Sequence, residues 1–532
     1  MCKFIKRLLV LGVIFSLFIL AAGCGEKDGS PGENSAGVDV YTVADSTGDW
    51  GYPSPYAHYL RGPGYIRMSL IFDTLVWKDD QGYVPAIAKS WDYLEGENAY
   101  TFKLRKDVTW HDGEKLTPED VVFTFNYIKE HPYPWIDSGI VEGVEVVDDY
   151  TIKVFLNKSY APFMDIVACT LPILPEHIWK NVQDPEQFQE DKALIGAGPF
   201  KLVDYNKAQG SYLYEAYEDY YLGKPKFKQL KFVKVSEEMA ASSLKQKQVD
   251  ASRIPPELGD EMKKEGFDIL ECPHDWNAKL LINHQKPPFD DKRFRQALAY
   301  AIDREQVVDA CLRGYGLAGS PGILPPDNPW HNPDIEQYVH NTAKAKEILE
   351  SMGYTKEGSY YQKEGKVLKL ELLIAGGNRA SGEPGEREGE MIKQQLEAVG
   401  IKVNLRSLES KTLDNLVNEW KFDIALSGHG GIGGDPDFLT RIIVGQGFNS
   451  ARYTSNETLV DLLNKQQQEM DEEQRNELIA EIQKLYAEEV PALTVYYPKW
   501  YWASSEKTDL FYTRLGIATG IPIPLNKLSF VK

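Results

Sequence analysis

Neighbouring side chains that could do chemistry occur at several places in the sequence. Trp110-His111-Asp112-Gly113 sets an imidazole beside a carboxylate, His274-Asp275 repeats the pair, and His284 follows shortly after. Such pairs can hold a metal or move a proton. Asp290-Asp291 and Glu488-Glu489 are adjacent acids of the kind used in general acid–base work. Spacing argues against each use. The histidines fit no zinc template, and "WHDG" reads as a turn feeding a capped helix. The acid pairs stand at helix boundaries, where capping or solvation accounts for them. The chain has no GxSxG elbow, no HExxH and no Walker loop. No catalytic residue, metal-ligand set or cofactor is therefore expected, and an exported hydrolase is a remote alternative.

Binding chemistry is better represented. "SGHGGIGGDPDFL", Ser427 to Leu439, is a glycine-rich stretch after an apolar strand pattern. Its glycines would let a ligand approach the backbone. Asp435 as N-cap, Pro436 at the first helical position and Asp437 in the first turn would start a helix there. Ser427, His429, Gly430, Gly431 and Ile432 are candidate ligand contacts, with His429 able to touch a chelated metal. "DSTGDWGYPSP" places Trp50 and Tyr52 in a Gly/Pro-rich loop after the first strand, and "YYPKWYWAS" brings Trp500 into a ring-rich strand. Aromatics at such positions are candidate cleft residues.

The elements that must position these residues follow an α/β pattern. In "YTFKLRKDVTWHDGEKLTPEDVVFTFNYI" a strand near Tyr100 to Leu104 leads to an Asp112-Gly113 turn. Thr117, Pro118 and Asp120 then open a helix. Asp290 or Asp291 starts a helix whose apolar face is Phe294, Ala297, Leu298, Ala301 and Ile302. "EGEMIKQQLEAVGIKVNLRSL" is a helix, a Gly400 stop and a strand. Two amphipathic helices divide near Asp471.

A chain of 532 residues should form two or three domains, and a net charge of −20 disfavours nucleic acid as a partner. Lys3, Lys6 and Arg7 precede an apolar run from Leu8 to Leu20 that is too short to span a bilayer comfortably and suits a signal peptide. "LAAGC", Leu20 to Cys24, resembles the bacterial lipobox, departing from it at Ala21, where Leu is commoner. Residues 1–23 are thus expected to be a lipoprotein signal peptide, Cys24 the lipidated residue, and residues 24–37, polar and rich in Gly and Ser, a flexible tether. Cys169, Cys272 and Cys311 are too widely spaced for a CxxC motif and allow at most one disulfide.

"FKLRKDVTWHDGEKLTPEDVVFTF", "GAGPFKLVDY", "YEDYYLGKPKFKQLKF", "NHQKPPFDDKRFRQALAYAIDREQVV" and "QLEAVGIKVNL" occur in this order across nearly the whole chain. Together they resemble the family 5 extracellular solute-binding proteins, receptors of peptide, nickel and related ABC importers. The resemblance implies a two-lobe, type II periplasmic-binding-protein-like α/β fold with an extra subdomain. Lobe I would comprise residues 38–71, 196–275 and 497–532, the subdomain 72–195 and lobe II 276–496, with hinge crossings near Pro273 to Trp276 and Tyr496 to Pro498. It also implies a non-enzymatic receptor at the outer or periplasmic face of a membrane. The expected partners are ABC permease subunits and a small peptide-like solute, with a metal chelate or an oligosaccharide as alternatives. Peptide-binding relatives carry an acid in the glycine-rich loop to hold the α-amino group; the matching position here is Ile432, which cannot anchor a buried ammonium.

Overall fold

The structure, a computed structural model, describes residues 39–79, 82–377, 383–447, 450–505 and 526–531. Cys24, the signal peptide and the tether lie outside the described residues. Among those described, no helix is long and apolar enough to cross a membrane.

Two sheets organise the molecule. The first is seven-stranded, in the order Asp268–Cys272, Trp500–Ser504, Ala251–Ile254, Val40–Asp45, Gln229–Lys234, Ser211–Ala216 and Phe200–Asn206. Val40–Asp45 runs parallel to both of its neighbours, which requires long crossovers. The second is six-stranded, in the order Gly316–Ala318, Ala492–Pro498, Trp276–Ile282, Ile424–Gly430, Lys369–Ala375 and Lys402–Leu408. Its central strands are apolar on both faces. Leu280, Ile282, Ile424 and Leu426 enter one core cluster, while Leu281, Leu373 and Ala425 enter another. A sheet covered by helices on both sides needs that continuous apolar pattern.

A four-stranded antiparallel sheet, Ala88–Leu94, Ala99–Leu104, Thr151–Leu156 and Val141–Asp148, packs against the seven-stranded sheet. Phe102, Trp110 and Val154 share one core cluster with Tyr41, Leu230 and Phe232. The chain passes between the two large sheets through Pro273 to Asp275 and again at Lys499. Two short crossings side by side are the geometry of a hinge.

Local signals account for the helix ends. Thr117 N donates to Asp120 Oδ2 at 2.8 Å with Pro118 at the first helical position. Asp291, not Asp290, caps Lys292–Ala301 by accepting from Arg293 N at 2.9 Å. Gly400 ends Glu386–Val399 at φ 111°, and Asp471 caps Glu472–Glu489. Cys169, Cys272 and Cys311 are free thiols, the first two buried.

Candidate functional site

Asp45 closes the strand Val40–Asp45 and gathers the start of a site. Its carboxylate accepts from Thr47 N at 2.8 Å, Gly48 N at 3.1 Å, Trp50 Nε1 at 2.7 Å and Arg67 Nη2 at 2.7 Å. Burial opposes ionisation of Asp45, but the Arg67 guanidinium and these N–H donors outweigh it and hold the carboxyl below its ordinary range. The Trp50 indole and the Arg67 guanidinium are thereby fixed in place. Arg67, on the helix Gly62–Ser69, lies 3.7 Å from the ring centre of Phe232. On the neighbouring strand, Arg253 lies 3.8 Å from the ring centre of Trp500, with Glu237 at 3.6 Å.

These groups wall a cavity of about 250 Å³ completed by Val235, Ala240, Trp502 and Glu383. Trp500 and Trp502 face it together because alternate residues of a strand share a face. Glu383 comes from the segment entering the helix Glu386–Val399, which packs on the six-stranded sheet. The half of the molecule built on the six-stranded sheet therefore contributes one wall residue, Glu383.

Of the residues expected from sequence, Trp50 and Trp500 meet at this cavity, and the rest lie elsewhere. Tyr52 donates its hydroxyl to Glu190 O at 3.1 Å and packs edge-on to Tyr205. Ser427, His429 and Gly430 are not in a loop. The strand Ile424–Gly430 runs on through them, pairing Lys279 with Ser427, Asn277 with His429 and Trp276 with Gly430. His429 is 7 % exposed, and burial drives its imidazole far below the ordinary value. Lys279, also buried, is lowered by desolvation to about 7. Gly431 turns the chain at φ 87°. Ile432 is fully buried in the cluster of Leu281, Ile323, Phe438 and Leu439, so it packs the core of this half of the molecule and lines no part of the cavity.

At Gly428 there is no open space above the backbone. A Cβ on Gly428 would stand 2.0 Å from Trp276 Cη2 and 2.6 Å from Asn277 O. Gly428→Ala should displace the Trp276 ring and destabilise by about 1–3 kcal/mol, the usual cost of overpacking. A shifted urea midpoint together with altered tryptophan fluorescence checks this.

The helix after the loop also starts later than expected. Asp437 stands at the N-cap of Phe438–Ile443, whereas the Asp435 carboxylate accepts from Asp437 N at 2.8 Å and from Arg475 at 2.6 and 2.8 Å. Asp437 reaches across to the other half of the molecule. It accepts from Tyr160 Oη at 3.1 Å and from Gln467 Nε2 at 2.8 Å, while Ala161 N donates to Gln467 O at 2.8 Å. Tyr160 belongs to the core cluster of the seven-stranded sheet, so these bonds clasp the two halves together.

At the crossing itself Asp275 is buried. Desolvation raises its carboxyl to about 8, with Asp327 adding to the shift and Arg253 opposing it. Folding then takes up a proton between about pH 4 and 8, so stability is greatest at the acid end of that window and falls as the pH rises through it. Asp275→Asn should flatten this dependence, as read from thermal midpoints measured across the window.

The histidines and paired acids have structural partners. His111 Nε2 lies 2.9 Å from Gly198 O, His274 Nδ1 2.9 Å from Asp327, and His284 Nε2 2.8 Å from Ala451 O. Glu488 pairs with Lys292 at 2.7 Å, and Glu489 accepts from Tyr453 at 2.7 Å. Among the described residues no group of three His, Cys, Asp or Glu side chains is placed to hold a metal ion. Asp45, Arg67, Glu237, Arg253 and Glu383 were not expected from sequence, and Trp502 was expected only as one of the rings of Tyr496–Ser504. Only Trp502 carried a local signal, its spacing of two from Trp500.

A family model described as "Bacterial extracellular solute-binding proteins, family 5 Middle" matches residues 82–450. The chain is 26% identical to the dipeptide-binding protein of Escherichia coli (strain K12) over 77% of its own length and 80% of that protein. It is 27% identical to the oligopeptide-binding protein AppA of Bacillus subtilis (strain 168) over 94% and 95%. The crystal structure of NikZ from Campylobacter jejuni in complex with Ni(L-His) superposes with a TM-score of 0.75 at 24% identity, covering 91% of this chain and 97% of that one. The fold is accordingly the two-lobe, type II arrangement.

Proposed function

The chain belongs to the family 5 bacterial extracellular solute-binding proteins, and from that premise we propose that it is the lipid-anchored receptor of an ABC importer, taking one small peptide-like solute and handing it to the permease. The observation that carries this reading is the cavity walled by Trp50, Arg67, Arg253, Trp500 and Trp502 on one lobe and Glu383 on the other. A solute held there touches both lobes at once, so its binding energy stabilises the closed form that a permease can recognise. On this reading one lobe takes residues 38–71 and 196–275, the subdomain 72–195 and the chain from Lys499 onward, and the other takes 276–498 rather than the expected 276–496, because the strand Ala492–Pro498 belongs to the six-stranded sheet.

Peptide-like solutes lead because relatives matched over most of their length are named for dipeptides and oligopeptides. The fold likeness to a protein holding Ni(L-His) supports a chelate as the second reading. A chelate that brings its own ligands needs few from the protein, which suits a wall of rings and guanidinium groups.

Native mass spectrometry of the purified protein, followed by denaturation and identification of the released solute, tests the reading. Recovery of an unchanged small molecule supports a receptor. Turnover of that molecule by the protein alone contradicts it, and the metal content of the released fraction separates peptide from chelate.

A further inference from the structure

We propose that the extra subdomain, residues 72–195, is a latch: it docks on the lobe of the six-stranded sheet through Tyr160 and Ala161, holds the molecule closed without help from a solute, and must let go before one enters or leaves. The consequence for solute exchange rests on the receptor reading; the latch itself does not.

The first observation is where the Asp437 carboxylate points. An aspartate at an N-cap normally accepts from the N–H groups of its own helix. Asp437 stands at that position before Phe438–Ile443, yet its side chain makes no capping bond. Its Oδ1 accepts instead from Gln466 Nε2 at 3.2 Å and Gln467 Nε2 at 2.8 Å, both on the helix Glu457–Gln468 of the same lobe. Its Oδ2 accepts from Tyr160 Oη of the subdomain at 3.1 Å. One oxygen is thus anchored within its own lobe and the other is presented to the subdomain. The Ala161 N–H adds a second crossing bond, donated to Gln467 O at 2.8 Å.

The second observation lies on the subdomain side of the contact. Shortly after Tyr160 and Ala161 the chain forms a π-helical turn, Met164–Ala168. Such turns are rare and concentrate at functional sites. This one holds Asp165, which is 5% exposed and whose carboxylate accepts from Lys78 Nζ and Tyr83 Oη.

The third observation is the matching of charge across the contact. Burial acts to lower both Lys78 and Arg475. At Lys78 it is outweighed by Asp165 and, from the other lobe, Asp435; at Arg475 by Asp435, Asp437 and, from the subdomain, Asp165. Each side therefore brings a carboxylate and a cation, and each cation lies in the field of the carboxylate opposite. None of these residues lines the cavity, so their part in closing is the same with a solute or without one. Where the closed form prevails in both states, a weaker latch speeds entry and release by the same factor and leaves affinity nearly unchanged. Loss of a solute contact would instead change release alone.

The test follows hydrogen exchange at Ala161 in the whole mature protein, unfolded, dialysed free of solute and refolded. The amide should stay protected in this state. Tyr160→Phe should accelerate its exchange about tenfold, while amides of the strands Trp276–Ile282 and Gln229–Lys234 keep their protection. Gln467→Ala, made on the other lobe, should give a change of the same sign, and it decides the matter should Tyr160→Phe fail to fold. Exchange at the rate of an exposed amide in the solute-free wild type overturns the latch, as does an unchanged rate in the folded variants. A second arm dilutes protein carrying its co-purified solute into solute-free buffer and follows the bound fraction by native mass spectrometry. That fraction should decay about tenfold faster in Tyr160→Phe than in the wild type, and equal decay overturns the latch as a gate. A wild type that never carries a solute contradicts the receptor reading and leaves the exchange result to judge the latch.

Discussion

Replacing Arg475 with methionine should lower the unfolding free energy by about 3–5 kcal/mol, the usual cost of stripping one partner from a buried ion pair. Arg475 and Asp435 have side chains only 7% and 6% exposed, and they meet through two hydrogen bonds of 2.6 and 2.8 Å. Arg475 Nε also donates to Gln466 O at 3.0 Å. Methionine fills much of the volume but leaves the Asp435 carboxylate buried with only the Asp437 N–H. The partner removed is a charge, so the loss exceeds that of a neutral hydrogen bond. In a urea titration the double variant Asp435→Asn with Arg475→Met should lose clearly less than the sum of the two single changes, because the second change removes the charge that the first left stranded. Additive losses would show that the pair is not coupled.

Asp437→Ala should loosen the clasp between the lobes. It removes the acceptor of Tyr160 and Gln467 and leaves Arg441 without the carboxylate that offsets its burial. Hydrogen bonds to a charged group are worth about 2 kcal/mol, which is about 30-fold in the closing equilibrium. The Ala161 amide reports this directly, since its acceptor is the Gln467 carbonyl on the other lobe. Hydrogen exchange at Ala161 should accelerate by about that factor, while amides within the strands Trp276–Ile282 and Gln229–Lys234 keep their protection. Tyr160→Phe should give a smaller change of the same sign.

Elements fixed by nearby residues were readable from sequence, and elements fixed by distant partners were not. Thr117, Pro118 and Asp120 satisfy a helix start among themselves, and Gly400 ends a helix through its own backbone freedom. The stretch around Gly428 misleads because glycine clusters usually mark turns. Here a glycine is needed so that the Trp276 ring can lie flat on a central strand, and that ring belongs to a residue far earlier in the chain. Asp435 misleads in the same way. Its place before Pro436 suits a helix cap, but Arg475 claims the carboxylate and the helix begins at Phe438. Trp50 and Trp500 stood out as rings where periodic core packing did not explain them. Asp45, Arg67, Arg253 and Glu383 could not, since each is an ordinary charge until the two sheets bring them to one cavity.

A small solute should bind between the lobes at this cavity. Native mass spectrometry of the wild type beside Val235→Trp, which pushes an indole into the cavity from its wall, tests it most directly. The wild type should carry a satellite peak for one bound small molecule, and Val235→Trp should lack it while unfolding at a similar temperature. A satellite of the same mass and occupancy on the folded variant would contradict the account by placing the solute elsewhere.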